Sequence, residues 1–220
     1  MSERRGQAAL PAVIPIFPLT GVLLLPRGRL PLNIFEPRYL AMTRAALGGE
    51  WLIGMVQPSD PTTADFNPLV YPVGCAGRIT SFAETEDGRF LITLTGVSRF
   101  RIREELPLLD GYRRVVPEWA EFARDLEIED ESAFDRERFN RALRAYFQQH
   151  QYSADWDAMT AAPAERLVTT IAMMCPFEPS EKQALLEASG LDDRARLLMA
   201  IIEMALVNRA RDGDGAAARH

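Results

Sequence analysis

Prolines set the first limit on what this chain can fold into. Between Val13 and Pro37 the sequence VIPIFPLTGVLLLPRGRLPLNIFEP breaks its apolar runs at Pro15, Pro18, Pro26, Pro31 and Pro37. A proline donates no backbone hydrogen bond. That density therefore excludes a central strand with a full ladder and favours edge strands, bulges and corners. The run RLPLNIF reads as a strand, and a short helix over Arg38 to Leu47 follows, stopped by Gly48-Gly49.

The β signals continue to about Phe122. WLIGMVQP is a buried strand, and PSDPTTADFNP is a polar, proline-containing loop. VGCAGRITSFAETEDGRFLITLTGVSRFRIREEL reads as a hairpin turning at Glu86-Asp87-Gly88, and GYRRVVPEWAEF adds a last strand. About six short strands with one early helix predict a small closed or half-closed barrel.

Helical signals replace this pattern after Phe122. ARDLEIEDE reads as an acidic connector, with Asp130 and Ser132 as candidate caps for the next helix. Phe139, Leu143, Tyr146 and Phe147 fall on one helical face, and Leu167, Ile171 and Met174 on another that ends at Cys175-Pro176. Ser180 and Gln183 have capping-box spacing. The expected organisation is a loosely attached or disordered N-terminus (1–12), a β domain (13–122), a helical domain (123–210) and a disordered tail (211–220).

Charge narrows the function classes. The net charge is −6, and residues 13–122 carry 11 basic and 12 acidic groups. No dominant basic footprint for a phosphate backbone is present, so nucleic acid is disfavoured as a partner. No apolar run reaches membrane-spanning length and no signal peptide is read, so the expected location is cytoplasmic. Cys75 and Cys175 read as buried free thiols.

Signatures of catalysis are missing. The chain has no glycine-rich phosphate loop, no G-x-S-x-G elbow and no C-x-x-C pair. His150 and His220 are its only histidines, which leaves a metal cluster or a nucleophile pair without ligands or a base. The expectation is a non-enzyme with no cofactor, no metal site and no catalytic residue. What remains is a binding surface, with candidates Arg27, Arg29, Phe35, Glu36, Arg38 and Tyr39 on the proline-rich corners and Arg78, Arg99 and Arg101 on the hairpin. The EPRY corner has two readings: Glu36 caps a helix begun by Pro37 while Tyr39 packs on the barrel, or the corner lines a groove for another chain.

The ordered segments IPIFPLTGVLLLPRGRLPLNIFEPRYLAM, IGMVQP and VGCAGRITSF…DGRFLITLTGVSRFRI resemble the N-terminal substrate-binding domain of the Lon proteases. PSEKQALLEASGLDDRARLLMAIIEMAL resembles the helical part that follows there. The likeness runs from Val13 to Leu206 and is loosest between Ala123 and Ala162. It implies an α+β fold, a PUA-like pseudo-barrel followed by an α-helical bundle. It also implies a stand-alone LON-domain type without the ATPase and Ser-Lys peptidase modules. The implied role is non-catalytic recognition of unfolded or specific polypeptides, as an adaptor in protein quality control alongside an ATP-dependent protease or chaperone. PUA-type barrels also bind RNA, and the alternative is an RNA-binding protein using Arg78, Arg99 and Arg101. The sequence leaves the oligomeric state open.

Overall fold

The computed structural model describes residues 10–127 and 135–217, with side chains through Asn208. It divides into two compact units, Met1–Glu127 and Ile128–His220.

The first unit is built on one six-stranded sheet: β1 (Ile14–Pro18), β2 (Arg29–Ile34), β3 (Leu52–Val56), β4 (Val73–Glu84), β5 (Phe90–Leu109) and β6 (Tyr112–Glu118). The order is β2-β5-β4-β3-β1-β6, and β6 returns to pair with β5. Closure is the work of β5, whose 20 residues serve two neighbourhoods. Its first half pairs with β2 and β4, and its second half, from Arg101, pairs with β6. The result is a ring of five strands with β2 appended at an open edge.

Pro31 in β2 lies on that edge, as the proline pattern predicts. β1 corrects the pattern, because it lies between β3 and β6. The two ladders are staggered: β6 pairs with Ile14 to Ile16, and β3 with Ile16 to Pro18. Pro15 has β6 alone beside it and Pro18 has β3 alone, so the open side takes the direction of the missing donor.

Inside the ring, Ile14, Ile16, Leu52, Val56, Ala76 and Val115 pack around Phe100. A methyl group at Gly54 or Gly74 would come within 2.7 or 2.8 Å of the Phe100 ring, so the large side chain needs both glycines opposite it. Helix α1 (Pro37–Leu47) buries Tyr39, Met42 and Ala46. A short 3₁₀ segment, Ala120–Leu126, packs on β5 and closes the unit. The boundary between units thus falls at Glu127 rather than Phe122, since the start of the expected acidic connector is folded onto the barrel.

The second unit contains α2 (Arg136–His150), α3 (Trp156–Ala161), α4 (Ala164–Met174), α5 (Pro179–Glu187) and α6 (Leu191–Ala217). Phe139, Leu143 and Tyr146 of α2 are buried as their spacing predicts. The N-cap of α2 is Asp135, whose carboxylate accepts from the Arg138 N–H at 2.9 Å. The expected caps Asp130 and Ser132 lie outside the described residues. Two further expectations are corrected. The box at the start of α5 uses Glu178 and Glu181, because Pro179 at the first position moves the helix start two residues upstream. Met174 is 78% exposed, since α4 ends beside it and the core-facing stripe stops at Ile171. Helix α6 continues past residue 211, where the sequence pattern places the start of a disordered tail. No described helix is long and apolar enough to cross a membrane.

Candidate functional site

The EPRY corner turns the chain from β2 into α1. Glu36 is extended because a proline follows it, and Pro37 occupies the first helical position, where no donor is required. Glu36 does not cap the helix with its side chain. Its carboxylate pairs instead with Arg38 at 3.0 Å.

Arg38 holds a second element. Its Nη1 donates to the Phe66 carbonyl at 2.7 Å, and its guanidinium lies 3.8 Å over the Phe66 ring and 4.4 Å over the Tyr39 ring. Arg113 on β6 repeats the device. It forks onto Glu105 at 2.6 and 2.7 Å and donates Nη1 to the Pro68 carbonyl at 2.7 Å. Two arginines thereby pin the loop between β3 and β4 by its carbonyls at residues 66 and 68. Tyr39 itself is buried against Phe17, with ring centres 4.2 Å apart. Burial lifts its hydroxyl above the ordinary phenol range, with Arg38 pulling the other way.

The pinned loop presents Phe66 and Leu69, which are 64% and 83% exposed. The β5–β6 turn adds exposed Leu108 and Leu109, and its Gly111 lies beside the Arg38 side chain. The corner is therefore a structural clasp whose outer surface carries four apolar side chains around Arg38. Sequence reasoning missed all four. The available signal was a phenylalanine and a leucine isolated in an otherwise polar, proline-containing loop.

The other candidates scatter. Exposed Arg27, in left-handed backbone at φ 62°, donates to the Asp125 carbonyl at 2.6 Å. Arg29 and Phe35 flank the two ends of edge strand β2 and are exposed, with Arg89 6.0 Å from the Phe35 ring. Arg78 on β4 is exposed and donates to the Glu50 carbonyl. Arg99 is 4% exposed and locked to Asp125, and Arg101 is forked onto Glu121 at 2.7 and 2.8 Å. Glu36, Arg38 and Tyr39 thus form one site, Arg27 and Arg99 meet at Asp125, and Arg99 and Tyr39 present almost nothing to a ligand.

The family model for the substrate-binding domain of ATP-dependent protease La (LON) matches residues 13–204. The chain belongs to the LON substrate-binding domain family. Among similar proteins, the Lon protease of Anaeromyxobacter dehalogenans is 26% identical over 211 residues, 92% of this chain and 24% of that protein. Lon protease 2 of Sorangium cellulosum is 28% identical over 199 residues, 86% of this chain and again 24% of the relative. This LON-domain chain thus spans about a quarter of the length of those proteins. In fold, it is similar to the Lon N-terminal domain protein from Xanthomonas campestris, with a TM-score of 0.59 and 23% identity over 86% of this chain and 97% of the other. The N-terminal domain of the Mycobacterium avium complex Lon protease gives a TM-score of 0.62 at 16% identity, covering 87% and 98%.

Both cysteines are buried and free. Burial pushes the Cys175 thiol up to about 11, with the nearby Lys182 ammonium opposing the shift. Native protein at pH 8 should release almost no chromophore from an aromatic disulfide reagent in the minutes that denatured protein needs to release two equivalents. Rapid reaction of one thiol in the native state would show that it opens to solvent.

Proposed function

We propose that the barrel unit of this LON-domain chain is a non-catalytic binding module for extended, apolar-rich polypeptide. In this reading it acts as an adaptor in protein quality control beside an ATP-dependent protease or chaperone. The observation that carries the reading is the group of exposed apolar side chains, Phe66, Leu69, Leu108 and Leu109, held around Arg38. A solvated apolar group of this size on a pinned loop is stable because its backbone is anchored, and it remains available to a partner. The open edge of β2 supports the same reading, since an extended segment can add there as a strand and reach Phe35 and the corner beyond it.

The magnitudes suit a transient binder. Burying four such side chains contributes roughly 6–12 kcal/mol gross. Ordering an unfolded chain takes back about 2–5 kcal/mol of that. The remainder corresponds to affinities between about millimolar and micromolar. The RNA reading loses support, because two of its three arginines are committed to carboxylates, Arg99 to Asp125 and Arg101 to Glu121.

The test is fluorescence anisotropy of a labelled, permanently unfolded polypeptide titrated with the chain. Saturable binding is expected to persist between about 50 and 200 mM salt, a range over which a phosphate-directed interaction collapses. The double variant Phe66→Ser, Leu69→Ser should weaken binding about tenfold or more, with an unchanged melting temperature because both side chains are exposed. Equal binding by that variant would remove the surface from the proposal, and a steep loss with salt would favour RNA.

A further inference from the structure

The helical unit contains a cavity of about 1010 Å³, bounded by the end of α2, by α3 and by α4. Its walls are apolar, chiefly Phe147, Tyr152, Met159, Leu167, Ile171 and Met174. The cavity has a local cause. Helix α3 is six residues long and buries none of them, and Pro163 at the N-cap of α4 turns the chain before α3 can close on its neighbour. The α4 face carrying Leu167, Ile171 and Met174 is left lining open space.

Two charged residues line this cavity, Asp155 and Arg166. Asp155 is already engaged, since its carboxylate caps α3 by accepting the Ala158 N–H at 2.9 Å. Arg166 is exposed and makes no ion pair or hydrogen bond among the described residues. The cavity therefore presents apolar walls, two of them flexible methionines that adapt to a chain's shape, with one uncommitted cation at its margin. That complementarity points to a single-chain molecule with one anionic end.

We propose that this cavity binds an anionic amphiphile, an unbranched alkyl chain ending in a carboxylate, with the chain along Leu167, Ile171 and Met174 and the carboxylate on Arg166. The site is separate from the polypeptide surface around Phe66 and stands or falls independently of it. Lengthening the chain strengthens binding through the cavity walls, and the charge at its end selects the acid over the alcohol through Arg166.

The test is calorimetric titration of the full chain with decanoate, octanoate and decanol, each below its aggregation threshold. Octanoate should bind about fifteenfold more weakly than decanoate, the effect of two methylenes. Arg166→Gln should weaken decanoate about fivefold, the upper range for a half-exposed ion pair, and leave decanol unchanged. Ala158→Trp, at an exposed position on the cavity wall, should abolish binding of both ligands while Phe66→Ser, Leu69→Ser has no effect. Should the tryptophan variant fail to fold, the acid-versus-alcohol comparison in Arg166→Gln decides alone. The proposal is overturned by the absence of saturable decanoate binding, by binding that survives in folded Ala158→Trp, or by equal losses for decanoate and decanol in Arg166→Gln. Displacement of decanoate by the unfolded polypeptide would also overturn it, assigning the cavity to peptide instead.

Discussion

Replacing Asp125 by alanine is expected to destabilise the barrel unit by about 3–5 kcal/mol, the range for breaking a buried ion pair by removing one partner. The Asp125 carboxylate takes three charge-assisted bonds from one residue. Arg99 donates Nε at 2.9 Å, Nη2 at 2.8 Å and its own backbone N–H at 2.8 Å. The Phe122 ring covers the guanidinium at 4.7 Å. Without the carboxylate, a cation that cannot shed its proton is left in a site closed to water. The check is chemical denaturation followed by tryptophan emission in a Trp156→Phe background, so that Trp51 and Trp119 report the barrel unit alone. Arg99→Met combined with Asp125→Leu should recover much of the loss, because an apolar pair of similar volume removes the stranded charge. A loss below about 1 kcal/mol for Asp125→Ala would place the pair in the class of solvent-screened surface bridges.

The same pair shows what the sequence could and could not reveal. Asp125 lies in ARDLEIEDE, where a run of acids reads as a solvated connector, and nothing local marks one carboxylate as facing an arginine 26 positions earlier. Arg99 read as a surface residue because its neighbour Phe100 fills the core. The side it faces is covered by the 3₁₀ segment, a tertiary event that alternation does not encode. Local features were legible. Proline and glycine placed α1 and the turn before Arg89, and side-chain spacing placed Phe139, Leu143 and Tyr146 in a core. Ring closure was half legible, because strand count suggests a barrel but not the shifts in register after Ile102 and Leu106 that carry β5 onto β6. The apolar surface around Arg38 escaped notice for a related reason. Phe66 gains its place from two arginines distant in sequence, Arg38 and Arg113, which hold the loop by carbonyls that every residue possesses.

Gly96→Ala should be nearly as damaging, at about 3 kcal/mol or more, through sterics alone. A methyl group there would collide with the Leu25 carbonyl oxygen and lie 2.8 Å from the carbonyl carbon, and neither backbone atom can rotate away. The collision strikes a clasp. Gly96 donates its N–H to the Gly28 carbonyl at 2.8 Å and accepts from the Arg27 N–H at 2.8 Å, which holds the Leu25–Gly28 turn against β5. Pushing the turn away removes both bonds and uncovers Leu23, Leu24 and Leu25, all buried. It also draws Arg27 from the Asp125 carbonyl, so the damage converges on the segment that Asp125→Ala disrupts. The melting temperature should fall by about 10 °C. Gly88→Ala is the control, since its φ of 78° strains an alanine but nothing lies within 4 Å of the added methyl. It should lose only about 1 kcal/mol. Equal losses for the two variants would mean that the Leu25–Gly28 turn yields freely, and that backbone conformation rather than close approach requires glycine at position 96.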